Sequence, residues 1–391
     1  MTIKGSQDQR LNRRLRLGMI GGGRGAFIGA VHRIASRIDD RWEFVAGALS
    51  SDAERARLSG EDLLLAPDRI YTDFSEMARR ERRLKDGIDA VAIVTPNHAH
   101  APAAKAFLKA GIHVICDKPL TTSRREAEQL ARLAEESGLI FAVTHNYTGY
   151  PLVRQARSMV AAGELGAIRV VQVEYAQDWL ATRLEGTGQK QAEWRTDPAR
   201  SGPAGSVGDI GTHAFNLAEF ITGEEVTELS AELHTFVPGR PLDDNAHMML
   251  RFGKGGRGML WCSQVAPGEE NGLRIRVYGE KAGLEWHQEN PNLLVFSPLG
   301  EPPRLVRRNG AGANDIAKAA SRVPAGHPEG YLEGFAQIYT DVAEQIAARI
   351  EGREPNPLSL QAPTVAHGVR GVRFIEAAVK SSQKKAAWVP V

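Results

Sequence analysis

Residues 16–32 read RLGMIGGGRGAFIGAVH. Leu15, Leu17, Met19 and Ile20 form a short apolar run suited to a buried parallel strand. The chain then turns through Gly21, Gly22, Gly23 and Gly25, and Ala26 to Ile34 is predicted to be helical. Glycines let backbone amides approach an anion closely, and the first helical turn offers unpaired N–H groups with partial positive charge. Gly21, Gly23 and Ala26 stand at the GxGxxG/A spacing, with Ala in the third place. A glycine cluster alone is a weak sign, because surface turns collect glycine too; the flanking strand and helix make it the opening of a dinucleotide-binding fold. Gly21, Gly23, Arg24, Gly25, Ala26 and Phe27 are its candidate cofactor contacts.

Outward from this stretch, strands and helices alternate. EFVAGAL at 43–49 is a second apolar strand, IDAVAIVT at 88–95 a third, IHVIC at 112–116 a fourth and 140–144 a fifth, with helices over 52–59, 102–110 and 123–137. The alternation predicts a doubly wound parallel sheet, whose ligands lie beyond the carboxyl ends of its strands. Those ends carry Ser50 and Ser51, then Thr95, Pro96, Asn97 and His100, then Asp117 and Lys118, then Asn146. An acidic residue about 20 positions beyond the glycine turn often takes the adenosine ribose. Here the tip is Ser50, Ser51, Asp52, with Arg55 one turn on. Ser and Arg suit the 2′-phosphate of NADP, Asp52 reaching back suits NAD, and both residues also serve as a helix N-cap and a solvated face. His98 and His100 are a poor metal pair: they point to opposite sides of an extended chain, with no Cys or carboxylate cluster beside them. They are expected to edge the nicotinamide pocket.

At 391 residues the chain exceeds what one core serves, and two domains of roughly 150 residues or more are expected. Beyond residue 147, IRVVQVEYA at 168–176 alternates apolar and polar positions, as do later runs at 226–236, 246–252, 258–265, 273–278 and 284–287. This predicts a C-terminal α+β domain with an open, mostly antiparallel sheet, one face covered and one free. A free face rich in apolar side chains points to a homo-oligomer, a dimer or tetramer. Residues 298–328, rich in Gly, Pro and Arg, look like a long excursion, and helices at 329–351 and 363–382 are expected to pack back on the body. The resulting division is a disordered arm over 1–14, a Rossmann domain over 15–146 and a substrate and oligomerisation domain over 147–391.

Lys plus Arg number 49 and Asp plus Glu 47, a net charge of +2. That balance gives no whole-molecule reason to expect nucleic acid or an acidic membrane as partner. The two cysteines cannot build a disulfide scaffold, and without a leader or a bilayer-length apolar run the expected location is cytoplasmic.

The chain resembles the Gfo/Idh/MocA oxidoreductases, the family of glucose-fructose oxidoreductase and inositol dehydrogenase. The resemblance rests on GGGRGA at 21–26, IDAVAIVTPNHAHAP at 88–102, VICDKPL at 114–120 and GDIGTHAFN at 208–216, and covers most of the chain. The family's Glu-Lys-Pro is here Asp117, Lys118, Pro119, with a shortened acidic position and the Lys-Pro pair intact. The resemblance implies an NAD- or NADP-dependent enzyme acting on a sugar, polyol or sugar derivative, with Lys118, Asp209 and His213 as its catalytic set. In this reading His213 takes or gives the proton, Asp209 supports it, and Lys118 steadies the substrate oxygen. Residue types fit these roles. Pro119 biases Lys118 toward an extended conformation at a strand's carboxyl end. Asp209 and His213, four apart, share a helix face, and an imidazole titrates near working pH. The plain alternatives are an exposed lysine, a capping Asp209 and a satisfied core histidine. Lys118, Tyr147, Asp178, Trp179, Trp194, Arg195, Asp209, His213 and His327 are candidate substrate contacts, since aromatic faces stack on sugar C–H groups and Arg and His take hydroxyls. Two other classes use the same fold: a redox-neutral, NAD-dependent glycoside-cleaving enzyme and a non-catalytic dinucleotide sensor. Only the sensor has no need of a base.

Overall fold

The computed structural model describes residues 11–391. Its first layer is a five-stranded parallel sheet of β1 (Leu15–Gly21), β2 (Trp42–Ala48), β3 (Ala90–Val94), β4 (His113–Cys116) and β5 (Phe141–Val143), in the order β2-β1-β3-β4-β5. The central strands are apolar without alternation because both faces are covered: every residue of β3 and β4 is buried. Local signals start and stop the covering helices as expected. In Arg124–Ser137 the Ser123 side chain caps the Glu126 amide, and Gly138 ends the helix in the left-handed region at φ 60°.

The second sheet has nine strands: β6 (Ile168–Ala176), β7 (Val226–His234), β8 (Asn245–Phe252), β9 (Arg257–Ser263), β10 (Gly272–Gly279), β11 (Ala282–His287), β12 (Leu293–Pro298), β13 (Arg304–Arg307) and β14 (Val389–Pro390). Their order is β13-β12-β11-β10-β6-β9-β8-β7-β14, antiparallel except where β6 pairs with β9. Its inward rows join the helices Pro151–Ala161, Thr212–Thr222 and Val365–Gln383 in one apolar core. The outward rows carry side chains such as Met249, Met259, Gln172, Arg276 and Glu285, matched across successive strands. The parallel sheet beside a mostly antiparallel one is the architecture expected from the sequence.

One local expectation is corrected and two are made specific. Residues 1–10 of the supposed arm lie outside the described residues, but residues 11–14 are held rather than disordered. Leu11 packs on the core and its amide donates to Glu351, while Arg13 forks onto Asp89 at 2.6 and 2.8 Å. The segment 298–328 is partly ordered secondary structure, containing β13 and the short helix Asp315–Ala319. Third, the helix Tyr331–Glu351 leaves the second sheet and covers one face of the first. Its Phe335, Ile338, Val342 and Ile346 share a core with Leu15, Leu17, Met19 and Ala92. The Trp42 indole donates to the Tyr339 carbonyl at 3.0 Å, fixing that docking.

Candidate active site

The parallel register brings the carboxyl ends of all five strands to one edge: Gly21 lies beside Val94, Ile93 beside Cys116, and Cys116 beside Val143. Between this edge and the second sheet runs a cleft of about 1520 Å³. At one end the glycine turn forms its floor. Gly21, Gly22 and Gly25 all have φ between 72° and 79°, which side-chain-bearing residues rarely adopt. A Cβ on Gly23 would stand 2.7 Å from Ser59 Oγ and 2.8 Å from the Leu49 carbonyl. The helix Phe27–Ile38 that follows has Ala26 at its N-cap and no side chain capping its first amides. An unfilled glycine cradle with uncapped helix amides fits the pyrophosphate of a dinucleotide. Thr95 Oγ1 and Asn146 Nδ2 also line the cleft, buried and without partners, as expected of groups that a bound cofactor would satisfy.

The other end is built around Asp209. The segment Val207–Gly211 is a single π-helical turn ahead of the helix Thr212–Thr222. Such turns leave carbonyls free, and Lys118 Nζ donates both to the Asp209 carbonyl and, at 3.0 Å, to Asp209 Oδ1. Arg195 Nε at 3.1 Å and Gln264 Nε2 at 2.9 Å donate to Oδ2. Burial alone raises the Asp209 pKa, but Arg195 and Lys118 outweigh it and hold the carboxyl well below the ordinary range. Asp209 therefore stays ionised and locks the Lys118 ammonium in place. Lys118 is followed by a cis bond to Pro119.

His213 lies on the first turn of the next helix, 8 % exposed, with Nδ1 unpartnered. Burial first, then the nearby Lys118 and His145, lower its pKa well below the usual imidazole value, so it is neutral and able to accept a proton. Asp209 makes no hydrogen bond to it. In place of Asp209, the support of His213 is aromatic: the Tyr147 ring meets it edge-on at 4.9 Å and His145 at 5.6 Å. Burial pushes the His145 imidazole down to about 3, so that neighbour is uncharged too.

The sequence candidates divide cleanly. Lys118, Asp209 and His213 line the cleft together. So do Gly21, Gly23, Arg24, Gly25, Ala26, Phe27, Ser50, Arg55, Thr95, Pro96, Asn97, Asp117, Asn146, Tyr147, Trp179, Trp194 and Arg195. Four candidates do not line it. Ser51 is exposed beside the cleft, and Asp178 turns to the Gly268 amide at 3.3 Å. His327 is exposed, with its carbonyl bound to Arg308. His100 is wholly buried behind the strand ends, braced by the Pro119 and Thr95 carbonyls, each at 2.9 Å; His98 is exposed, so neither histidine edges the pocket. Asp52 caps the next helix through the Arg55 amide at 2.8 Å, the plainer of its two readings. Asp117 lines the cleft, but its carboxylate is tied backwards. It accepts from Thr144 at 2.5 Å and contacts His32 at 3.1 Å, which in turn meets Tyr339 at 2.8 Å.

Residues not singled out in the sequence, Tyr175, Gln177 and Asn271 among them, join Tyr147 and Trp179 in the wall. Tyr147 and Tyr175 share a 2.6 Å hydroxyl contact, Tyr175 and Gln177 both donate to Asn271 Oδ1 at 2.7 and 2.8 Å, and Trp179 donates to Gln177 at 3.0 Å. Gln288, Asn290 and Asn292 line the far side. They sit at strand ends far apart in sequence, and their only local signal is a polar residue breaking an apolar run. The Arg195 guanidinium lies 4.3 Å over the Trp194 ring, so these neighbours act as one unit.

Comparison with known proteins bears on the family and the fold. Residues 15–145 match the family model described as "Oxidoreductase family, NAD-binding Rossmann fold", and residues 153–285 the GFO/IDH/MocA C-terminal domain. The "Uncharacterized oxidoreductase YfiI" of Bacillus subtilis (strain 168) is 37 % identical over 382 residues, 97 % of each chain. A crystal structure of an oxidoreductase from Sinorhizobium meliloti is 55 % identical with TM-score 0.87, covering 96 % of this chain and 99 % of that one. An inositol dehydrogenase homologue from Azotobacter vinelandii, solved with NAD+, is 37 % identical with TM-score 0.93, covering 98 % and 99 %. The same homologue solved with NADH and myo-inositol is 36 % identical with TM-score 0.90 over the same shares.

Proposed function

The chain belongs to the GFO/IDH/MocA family of NAD-binding oxidoreductases, and on that premise we propose that it transfers a hydride between NAD and a hydroxyl-bearing carbon of a neutral sugar or polyol. The observation that carries this reading is the convergence of Lys118, Asp209 and His213 on the cleft that opens from the glycine turn. Bound NAD supplies the hydride acceptor, with Gly21, Gly23, Gly25, Thr95 and Asn146 holding it. The neutral His213 accepts the hydroxyl proton. Lys118, fixed by the Asp209 carboxylate and carbonyl, donates to the same oxygen and stabilises the charge that develops there. Asp209 acts by positioning Lys118 rather than by touching His213.

The rest of the wall supports a neutral polyhydroxylated substrate. Gln288, whose Oε1 is buried without a partner, and Asn290 line the cleft with amides that can take hydroxyls, and Trp179 and Trp194 offer flat apolar faces. The cations closest to the reaction centre, Lys118 and Arg195, are already paired with Asp209, leaving little to recruit a phosphorylated sugar. NAD is favoured over NADP because, at the ribose end, Arg24 is forked onto Asp62 at 2.5 and 2.6 Å and only Arg55 remains. The Azotobacter homologue solved with NADH and myo-inositol points the same way on both counts. We propose a cytoplasmic location on the family reading alone; separately, no helix among the described residues is long and apolar enough to cross a membrane. We also propose a homo-oligomer through the outer face of the second sheet, where Met249 and Met259 are each 49 % exposed.

The test mixes purified protein with NAD or NADP and a panel of neutral sugars, polyols and glycosides, following nicotinamide absorbance and released products together. Net reduction of NAD with a sugar or polyol is the expected result. Release of an aglycone without net reduction would replace the proposal by a redox-neutral cleavage, and silence with every compound would overturn it in favour of a sensor.

A further inference from the structure

Between β6 and the π turn the chain forms a strap over the cleft, carrying the short helices Lys190–Arg195 and Pro198–Ser201. The strap is tied at several points. Arg240 holds the carbonyl of Leu180 at 3.1 Å and both oxygens of Glu185 at 3.0 and 3.1 Å. Arg195 holds Asp209 at 3.1 Å, and the Asn97 side chain donates to the Ser201 carbonyl at 2.8 Å. Its middle crosses to the glycine turn: a Cβ on Gly25 would stand 3.0 Å from Lys190 Nζ. Lys190 is exposed, lines the cleft, and has no hydrogen-bond or ion-pair partner among the described residues.

That placement has no internal electrostatic reason. The ammonium sits beside uncapped amides at the positive end of the helix Phe27–Ile38, with Arg55 also facing the cleft. The ammonium and the uncapped amides present positive charge to one point of the glycine turn, which suits an anion placed between them. We propose that Lys190 grips the pyrophosphate of the bound dinucleotide from the side opposite the glycine turn. Cofactor binding then fixes the strap, and with it Trp194 and Arg195 five residues or fewer along the same segment. The second domain thus reaches the cofactor through Lys190, and without the cofactor the Trp194–Arg195 wall keeps only its ties to Asp209 and Gln191.

The inference rests on the cofactor lying with its pyrophosphate over the glycine turn, and calorimetry on the full chain separates the two ideas. Lys190→Gln should weaken NAD and ADP-ribose about tenfold or more while leaving adenosine binding unchanged, and Lys190→Arg should recover most of the loss. The salt dependence of NAD affinity should become shallower in the Gln variant. A second readout needs no turnover: cleavage by a glutamate-specific protease at exposed Glu193 should be slowed by NAD in the wild type and not in Lys190→Gln. Equal NAD affinity in wild type and Lys190→Gln, or equal protection of Glu193, overturns the role of Lys190 alone. A wild type that binds neither NAD nor ADP-ribose overturns the placement of the cofactor, and this inference with it.

Discussion

Asp209→Asn keeps the shape of the side chain and removes its charge, so its cost can be worked from the contacts. Oδ1 accepts from Lys118 at 3.0 Å, and Oδ2 from Arg195 at 3.1 Å and Gln264 at 2.9 Å. An amide has one oxygen and one NH2. Whichever way it turns, its N–H groups face donors: Lys118 on one side, or Arg195 and Gln264 on the other. Removing one partner of a buried ion pair costs about 3–5 kcal/mol. The Asp209 side chain is 18 % exposed, which screens the pair and places the expected loss at the low end, about 3 kcal/mol. The pH dependence has a definite sign. Its pKa in the folded protein is held below the ordinary 3.8, so the stabilisation is complete above that value and fades as pH falls toward the folded-state pKa. The deficit of the Asn variant should therefore be level between about pH 5 and 8 and shrink below about pH 4. Urea denaturation of both proteins across this range measures it. Turnover should fall roughly a hundredfold at the same time, because Lys118 is no longer held to the substrate oxygen. An Asn variant with wild-type stability and turnover at neutral pH, or a deficit that does not narrow in acid, would refute the coupling of Lys118 to Asp209.

Lys118→Met should lower kcat by about a hundredfold to a thousandfold, with NAD affinity by calorimetry changed by less than about threefold; equal losses in both would assign Lys118 to cofactor holding instead. His213→Gln should lower kcat by about a hundredfold to ten-thousandfold with stability changed by less than about 1 kcal/mol, since Nδ1 gives up no partner. Because the pKa of His213 lies well below 6.5, the pH profile of kcat/KM should show no acid limb from this group near 6.5; a limb there that His213→Gln removes would contradict a neutral His213. Gly29→Ala places a Cβ 2.4 Å from Gly22 Cα and 2.5 Å from its carbonyl, forcing helix and glycine turn apart. Thermal melts with and without NAD should show a loss of about 1–3 kcal/mol and a smaller stabilisation by NAD than in the wild type.

What could be foreseen in the chain follows from how local its cause is. The strand, the glycine turn and the helix after it declare themselves because periodicity and φ > 0 preferences act over neighbouring residues. Lys118, Asp209 and His213 are legible because each sits in a short recognisable string, yet their wiring is not: the resemblance implies Asp209 as the support of His213, whereas it holds Lys118. Gln264 and Asn271 were invisible, since only the folding of β9 and β10 beside the cleft gives them a partner. His100 misled in the opposite direction. It stands just beyond a strand end, where ligands gather, but a helix begins at that residue and turns its ring inward onto two carbonyls. The close approach of Gly29 to Gly22 leaves no mark in the sequence either, because helix–turn packing involves no side-chain pattern.

The helix Tyr331–Glu351 covers the first sheet although it is made last but one in the chain, and this fixes an order of events during synthesis. When residues 15–145 have emerged, the strand faces of Leu15, Leu17, Met19 and Ala92 still lack Phe335, Ile338, Val342 and Ile346. His32 Nδ1 likewise still lacks its Tyr339 partner. A nascent chain must keep an apolar sheet face waiting through nearly two hundred further residues, a span of roughly ten to forty seconds at common elongation rates. A fragment ending near residue 146 would keep Val31, Ala35 and Trp42 on that face but lose the apolar cover of Phe335, Ile338, Val342 and Ile346, so part of the cover of the dinucleotide unit comes from the far end of the polypeptide.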